Sequence, residues 1–236
     1  MALTFGELTI RLAQGELKST NFVDKEDKTS IKEEERSTIA RYVNQGLGAL
    51  HSKFILSEKE LMLRTIRGAA FYFLRPEFAW SNPATVPRKY IDDTVLPRFT
   101  GDIIKILKVM DAAWRELPRD NEEIPNCSLY TPAYDTLQVL PPLQGYTYSV
   151  IYQAEHPKIV ADNPVQPIRL PVFLEEALQL FVASKALGHM NGQEQAAKSQ
   201  EYMTNYLAIL AETEAKDLSS TSYVREGGKL YQRGFV

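Results

Sequence analysis

Apolar residues at helical spacing mark the N-terminal part of the chain. A first helix is predicted to begin at Thr4, which with Glu7 has the pattern of a capping box, and to end at Gly15. Ser30 and Glu33 form a second possible capping box ahead of a longer helix. The apolar stripe of that longer helix consists of Ile39, Val43, Leu47, Leu50 and Phe54. Residues 1–56 are therefore predicted to supply helices.

The same helical period returns in the last third of the chain. Pro171 stands at a position where a helix can begin, and a wide apolar stripe follows it, made of Phe173, Leu174, Ala177, Leu178, Phe181 and Val182. Asn191 and Gly192 are predicted to end this helix in the left-handed conformation. A second helix carries Met203, Tyr206, Leu207 and Leu210. Because the link is short, residues 169–218 are predicted to form an antiparallel helical hairpin.

Between these helices the pattern is that of β-structure. The stretch ELMLRTIRGAAFYFL predicts two strands around Arg67 and Gly68. The stretches DTLQVL and YTYSVIYQ alternate apolar and polar residues, and the intervening PPLQG predicts that they form a hairpin. Residues 103–110 fit a helix by their period, and they also fit a strand that is buried on both faces.

Two stretches follow neither period. Prolines 76, 83, 87 and 97 interrupt a segment from residue 75 to 100, which also contains Phe78 and Trp80. The chain ends in YVREGGKLYQRGFV, where aromatic and basic residues alternate with glycines. Such a tail is either disordered or docks into a partner.

Composition narrows the class of protein. The chain has 236 residues, of which 44% are hydrophobic and 24% charged, as in ordinary globular proteins. Its formal net charge of −3 argues against a protein that grips duplex DNA by its phosphates. Cys127 is the only cysteine, so no intrachain disulfide can form and we expect a reducing compartment. The pattern of a signal peptide and of a membrane span are both absent, so we expect a soluble protein made in the cytosol.

Residues for chemistry are scarce. The sequence has no phosphate-binding loop, dinucleotide fingerprint, zinc-protease motif or nucleophile elbow. His51, His156 and His189 are far apart in the sequence and have no Cys or His neighbour at ligand spacing, so we expect no metal, no cofactor and no catalytic residue. Asp92 and Asp93 are adjacent acids in a loop; they could coordinate a hard cation, although such pairs are usually solvated surface.

The order of these features resembles a known family. Four stretches carry the resemblance, and they are RSTIARYVNQGLGALHSKFILSEKELMLRT, IIKILKVMDAAWRELPRDN, LQVLPPLQGYTYSVIYQAEHPKI and LPVFLEEALQLFVASKALGHMNGQEQAAKSQEYMTNYLAIL. In order and texture they are similar to the head-to-tail adaptor (connector or neck) proteins of tailed bacteriophages, the family of tail tubular protein A of short-tailed phages. The likeness covers most of residues 36–215.

The resemblance implies an α+β fold with four parts. Residues 1–56 and 169–218 would form one helical bundle, and residues 57–168 a β-rich, mostly antiparallel insertion with the proline-rich loop. Residues 219–236 would be an extended, flexible C-terminal arm. The resemblance also favours a strand over a helix for residues 103–110.

The resemblance further implies a structural virion component and no enzyme. Such adaptors form a ring, usually of twelve copies, that joins the portal to the tail nozzle or tail tube at the head–tail junction of the virion. Genomic double-stranded DNA passes through the lumen without sequence-specific binding. The protein would be assembled in the cytoplasm of the bacterial host and would contact no membrane. The mild negative charge fits a conduit that must not hold phosphates tightly.

The resemblance also assigns two candidate interfaces. The arm would reach into the portal, and its candidate contact residues are Tyr223, Arg225, Lys229, Leu230, Tyr231, Arg233 and Phe235. The insertion would meet the tail, and its candidates are Phe78, Trp80, Asp92 and Asp93. The alternative is a small soluble enzyme or binding module that uses the loop of Asp92 and Asp93 as a ligand or metal site.

Overall fold

The computed structural model describes residues 3–83, 88–94, 97–118, 128–141 and 144–218. The helices of this part are α1 (Phe5–Gln14), α2 (Glu33–Lys53), α3 (Val172–Gly188) and α4 (Gln193–Ala215). The strands are β1 (Glu58–Arg64), β2 (Phe71–Phe73), β3 (Ile91–Asp92), β4 (Ile103–Met110), β5 (Ser128–Ala133), β6 (Thr136–Leu140) and β7 (Thr147–Ala154). The fold is α+β, as predicted.

The four helices form one bundle that both ends of the described chain build together. Its buried cluster draws on residues 3–54 and on residues 159–210. Helix α3 lies at the centre, in contact with α1, α2 and α4. A Cβ atom at Gly46 of α2 would lie 2.7 Å from Leu178 and 2.9 Å from Phe181, so glycine permits the close approach of α2 and α3.

Of the two predicted capping boxes, the one at α1 is present and the one at α2 is not. Thr4 Oγ1 accepts a hydrogen bond from the Glu7 amide (3.2 Å), and Glu7 accepts one from the Thr4 amide (2.9 Å), so the first capping box is confirmed. The second is wrong, because α2 has Lys32 at its N-cap and no side-chain cap. Ile31 is buried and bridges to Val23, which draws the preceding serine into the loop before the helix.

The helical hairpin of α3 and α4 is confirmed, but the predicted end of α3 is wrong. The helix ends at Gly188, and Gly192 is the N-cap of α4 with an extended φ of 172°. Two serines join the helices reciprocally, because Ser184 Oγ donates to the Ser199 carbonyl and Ser199 Oγ to the Ser184 carbonyl, both at 2.8 Å. This pairing fixes the register of the hairpin.

The inserted β-structure consists of two antiparallel sheets in the described residues, with strand orders β3-β1-β7-β4 and β2-β6-β5. Residues 103–110 are a strand, β4, which pairs with β7 and has two register shifts. Its buried residues are Ile103, Ile106 and Val109. The irregularities convert the two-residue period of a strand into a spacing of three, and this explains the helix-like pattern.

The predicted hairpin of DTLQVL and YTYSVIYQ is wrong. Strand β6 pairs with β2 and β5, whereas β7 pairs with β1 and β4. The two predicted strands β1 and β2 do exist, and they too lie in different sheets. The connection from β1 to β2 and the connection from β6 to β7 each pass from one sheet to the other, and they meet at Thr65. The Thr65 amide donates to the Tyr146 carbonyl (2.8 Å), and the Thr65 carbonyl accepts from the Gly145 amide (3.0 Å). The two crossings therefore lie side by side.

Side chains of both sheets form one buried cluster, drawn from residues 61–154. This cluster is distinct from that of the bundle, so the protein has a helical core and an inserted β core. We call the part built by β1–β7 and its connections the sheet subdomain. The predicted C-terminal arm, residues 219–236, lies outside the described residues.

Candidate functional site

The four candidate tail-side residues lie close together in the sheet subdomain. Phe78 ends a turn of 3₁₀ helix (Pro76–Phe78), and its carbonyl accepts from the Tyr90 amide at 3.1 Å. The Trp80 amide donates to the Ile91 carbonyl at 2.9 Å. These bonds hold the segment of Phe78 and Trp80 beside the segment of Asp92 and Asp93. The seven candidate portal-side residues lie outside the described part of the chain.

Asp93 is a buried structural acid. One of its oxygens accepts from the Ser81 amide (2.9 Å), and the other accepts from the Ser81 hydroxyl and from the Phe99 amide (3.1 Å). Burial alone would raise the pKa of Asp93, but the hydrogen bonds from Ser81 and Phe99 outweigh it, so the pKa is lowered. Asp93 therefore stays ionised and ties the irregular segment together.

Asp92 is equally engaged. Its Oδ1 accepts from the Thr94 hydroxyl at 2.6 Å, and its Oδ2 lies 2.6 Å from a guanidinium nitrogen of Arg64. The Thr94 hydrogen bond is the largest cause that lowers the pKa of Asp92, and Arg64 adds to it. A cavity of about 200 Å³ has both acids on its wall. No group of three potential metal ligands occurs among the described residues.

Trp80 and Arg64 form a stacked pair at the surface. The Arg64 guanidinium lies 5.0 Å from the centroid of the Trp80 ring. Trp80 remains 44% exposed, so much of the indole faces solvent. Phe78 stacks against Tyr90 at 4.9 Å and is half-buried. The tail-side candidates are thus two aromatic residues at the surface and two acids beneath it.

A second pair of the same kind lies nearby, and the sequence analysis missed it. The Arg75 Nε donates to Asp135 Oδ2 at 3.0 Å, and the Arg75 guanidinium lies 5.2 Å from the Phe73 ring centroid. Phe73 stacks in turn on Phe78 at 6.4 Å. Arg75 and Asp135 are sixty positions apart, so no local pattern signals their contact.

Exposed aromatic residues are concentrated in the sheet subdomain. Among the described residues, the large exposed aromatic side chains are all found there, with exposed fractions from 40% to 65%; they are Phe71, Phe73, Trp80, Trp114, Tyr134 and Tyr146. The large exposed hydrophobic residues outside it are aliphatic; they are Ile10, Ile55, Val160, Val165, Val172, Leu207 and Leu218. Since aromatic residues and Arg dominate binding energies at protein interfaces, the sheet subdomain has the composition of a contact surface.

The structure brings together two histidines that are distant in sequence. The rings of His51, in the last turn of α2, and His156, just after β7, meet edge to face with centroids 5.5 Å apart. Between them Gln153 donates to the carbonyls of His51 and Phe54. We call His51, Gln153 and His156 the junction, because they connect the bundle to the sheet subdomain.

Both junction histidines are held neutral. His51 Nδ1–H donates to the Ala154 carbonyl (3.1 Å), and its Nε2 is buried with no hydrogen-bond partner in the described structure. His156 Nδ1–H donates to the Pro157 carbonyl, while its Nε2 accepts from the Arg169 amide (2.9 Å). Burial is the largest cause that lowers the pKa of each ring. The arrangement suits a structural contact, and the described residues add no third metal ligand to it.

Comparison of the sequence with known proteins identifies no family for this chain. No known protein family matches the sequence, and no curated protein matches it significantly.

In the described structure, the helices are all too short or too polar to cross a membrane.

Proposed function

We propose that the protein is a structural virion component, a head-to-tail adaptor whose copies form a ring between the portal and the tail. The ring would hold about twelve copies, as in the family that the sequence resembles, and would leave a lumen for the genomic DNA. The bundle would give the ring its frame, the sheet subdomain would face the tail nozzle or tail tube, and the C-terminal arm would enter the portal.

The observation that carries this proposal is the exposed aromatic surface of the sheet subdomain. Six large aromatic side chains face solvent there, whereas the large exposed hydrophobic residues in the rest of the described chain are aliphatic. Exposed aromatic residues at this density are typical of surfaces that bind other proteins. Such a surface fits a structural partner of other proteins.

The architecture supports the same proposal. Both ends of the described chain close one helical core, and a separate β core is inserted between them. This arrangement has the order of parts that the resemblance implies for an adaptor. Helix α4 ends at Ala215, and the basic, aromatic stretch from Tyr223 follows it in the sequence.

The test mixes the purified protein with the portal protein encoded in the same genome. The full-length chain and a chain that ends at Ser222 are compared by native mass spectrometry and negative-stain imaging. We expect the full-length protein to add a ring to the portal and the shortened one, still folded by circular dichroism, to add none. If both bind, the arm is not the anchor. If neither binds, the adaptor proposal is overturned.

Two arm variants sharpen this test. The first replaces Tyr231 and Phe235 by Ala and keeps the charges, and the second replaces Arg225, Lys229 and Arg233 by Ala and keeps the aromatic residues. We expect the first to lose most portal binding at all salt concentrations, because buried aromatic anchors dominate affinity. The second should lose binding mainly at low salt, where charge attraction is strongest.

A further inference from the structure

We propose that Trp80 and Phe73, each stacked on an arginine that a buried aspartate holds, form one docking patch for an acidic, partly apolar surface of a partner protein. We call Arg64, Phe73, Arg75 and Trp80 the Arg–aromatic patch. The proposal rests on four observations, which are the geometry of the two stacked pairs, their connection, their rigidity and the charge around them.

The two pairs repeat one geometry. In the first, Asp92 lies 2.6 Å from Arg64, whose guanidinium lies 5.0 Å from the Trp80 ring. In the second, Asp135 lies 3.0 Å from Arg75, whose guanidinium lies 5.2 Å from the Phe73 ring. Two unrelated stretches of chain thus build the same order of carboxylate, guanidinium and aromatic ring.

Tyr90 joins the two pairs into one surface. Its hydroxyl accepts from the Phe73 amide and donates to the Phe73 carbonyl, both at 2.9 Å. Its own carbonyl accepts from the Arg64 amide at 2.8 Å. Its ring stacks on Phe78, which lies against Phe73. The patch is therefore continuous and is supported from below by buried aromatic packing.

The arginines are held in place yet remain accessible. The side chains of Arg64 and Arg75 are about half exposed, at 51% and 53%, whereas those of Asp92 and Asp135 are buried. Since a guanidinium carries five N–H donors, each arginine still presents donors to solvent. A side chain held on two sides loses little rotamer freedom when a partner binds, so the patch is pre-organised for binding.

The charge around the patch indicates an acidic partner. In the described residues between 64 and 99, the exposed acid is Glu77, whereas the exposed arginines are Arg64, Arg67, Arg75, Arg88 and Arg98. The other acids of this stretch, Asp92 and Asp93, are buried and hydrogen-bonded. The stretch is thus basic in a chain of net charge −3, and it complements a surface that carries carboxylates.

A protein surface fits the patch better than a nucleic acid does. Nucleic-acid affinity depends on cations that neutralise phosphates. Asp92 and Asp135 offset part of the charge of Arg64 and Arg75, which weakens their attraction for phosphate and carboxylate alike. The exposed Trp80 and Phe73 rings beside these arginines offer apolar contact, which a protein surface can use and the backbone of a DNA duplex cannot. What remains is directional N–H donation beside exposed aromatic area, and that combination matches carboxylate and apolar groups of a protein. The adaptor proposal identifies this partner as the tail nozzle or tail tube protein. Only this identification of the partner rests on the adaptor proposal.

The first test does not depend on the adaptor proposal. Binding of the full-length protein to a poly(Glu,Tyr) copolymer is measured by biolayer interferometry, with poly(Lys,Tyr) and a DNA duplex as comparison probes. We expect binding to poly(Glu,Tyr) alone. Trp80→Ala should weaken it about tenfold or more, and Arg64→Lys several-fold, because lysine keeps the charge but loses the planar fork. Trp114→Ala is the control, since it removes a tryptophan outside the patch that is even more exposed than Trp80, and it should change affinity less than about twofold.

Two results would overturn the proposal. One is equal loss of binding in Trp80→Ala and Trp114→Ala, which would mean that any exposed tryptophan binds the copolymer. The other is tighter binding of the DNA duplex that Trp80→Ala abolishes, which would assign the patch to a nucleic acid. Thermal melts of all variants ensure that the compared proteins are folded.

A second measurement separates this inference from the adaptor proposal. Portal complexes are formed with the wild-type protein and with each variant, and binding of the tail protein from the same genome to each complex is measured. We expect Trp80→Ala to lose tail binding while portal binding stays normal. If tail binding is normal in Trp80→Ala, the patch assignment fails and the adaptor proposal stands. If no variant binds the portal but the copolymer results hold, the adaptor proposal fails and the patch stands.

Discussion

The bundle and the sheet subdomain use their side chains in opposite ways. The bundle buries mostly aliphatic residues and places its ion pairs at the surface, for example Arg11 with Glu175 and Lys53 with Glu214. The sheet subdomain buries acids, such as Asp92 and Asp93, and places aromatic residues at the surface. The bundle therefore has the properties of a frame, and the sheet subdomain those of a recognition surface that its own polar interior holds in shape.

The bundle and the sheet subdomain also obtain their stability from different interactions. In the bundle, stability follows the apolar area that the helices remove from water. In the irregular segment between β2 and β4, hydrogen bonds to Asp93 add to the packing of buried apolar residues and tie Ser81 to Phe99. Buried polar networks of this kind are costly when one member is lost.

The largest effect is expected from Asp93→Ala. The substitution leaves the amides of Ser81 and Phe99 without their acceptor, and each such loss in a buried site costs about 1–3 kcal/mol. We expect the free energy of unfolding of the sheet subdomain to fall by roughly 2–4 kcal/mol. Hydrogen exchange should show faster exchange in β1, β3 and β7 than in the helices of the bundle.

Glu214→Ala is the matched control for this prediction. It removes an exposed acid of the bundle whose partner Lys53 is also exposed, and surface ion pairs contribute at most about 1 kcal/mol. If Glu214→Ala destabilises the protein as much as Asp93→Ala does, the contrast between an aliphatic frame and a polar-supported surface is wrong.

A smaller effect, dependent on pH, is expected at the junction. The folded pKa values of His51 and His156 lie below the ordinary 6.5, so the unfolded chain binds more protons below that pH. The stability that the junction contributes is present above pH 6.5 and is lost as the pH falls from there through the folded pKa values. The groups that face the pair are Glu155, whose charge acts to raise the pKa of His51, and Arg169, whose charge acts to lower that of His156.

Urea unfolding between pH 7.5 and 5 measures this dependence. Each histidine contributes a slope of at most about 1.4 kcal/mol per pH unit. His51→Gln can still donate to the Ala154 carbonyl and should reduce the slope. A slope that is the same in wild type and His51→Gln would show that the junction does not titrate on unfolding.

The helices were predictable from the sequence because their signals are local. The capping box at Thr4, the stripes of α2 and α3 and the hairpin of α3 and α4 each depend on residues a few positions apart. The errors at Ser30 and Asn191 concern helix ends, where a tertiary contact decided the boundary. Next to Ser30, the buried Ile31 bridges to Val23. After the last residue of α3, the ring of His189 stacks on that of Tyr42.

The pairing of strands and the candidate site could not be predicted in the same way. Strands β6 and β7 satisfy every local rule for a hairpin, yet the crossing at Thr65 sends them to different sheets. The contact of Arg64 with Asp92 depends on the register of β1 and β3, in which Met62 lies opposite Asp92. The contact of His51 with His156 joins residues more than a hundred positions apart, so only the closed fold reveals it.

Two glycines of α2 that look alike in the sequence are expected to respond in opposite directions to the same substitution. A Cβ atom at Gly46 would meet Leu178 and Phe181 at less than 3 Å, whereas no described residue lies within 4 Å of one at Gly48. Gly46→Ala should therefore destabilise the protein by about 1–3 kcal/mol through overpacking. Gly48→Ala should stabilise it by up to about 1 kcal/mol, because alanine favours the helix and meets no neighbour.

Urea unfolding of the two variants measures this contrast within one helix. The two variants also test the comparison between the bundle and the sheet subdomain. Both substitutions should change the hydrogen exchange of amides in the bundle and leave that of the sheet subdomain nearly unchanged. Destabilisation by Gly48→Ala would mean that the exposed face of α2 is covered by something outside this chain in solution. Stabilisation by Gly46→Ala would mean that α2 and α3 pack less closely than described, and the bundle could then not serve as the rigid frame for the contact surface.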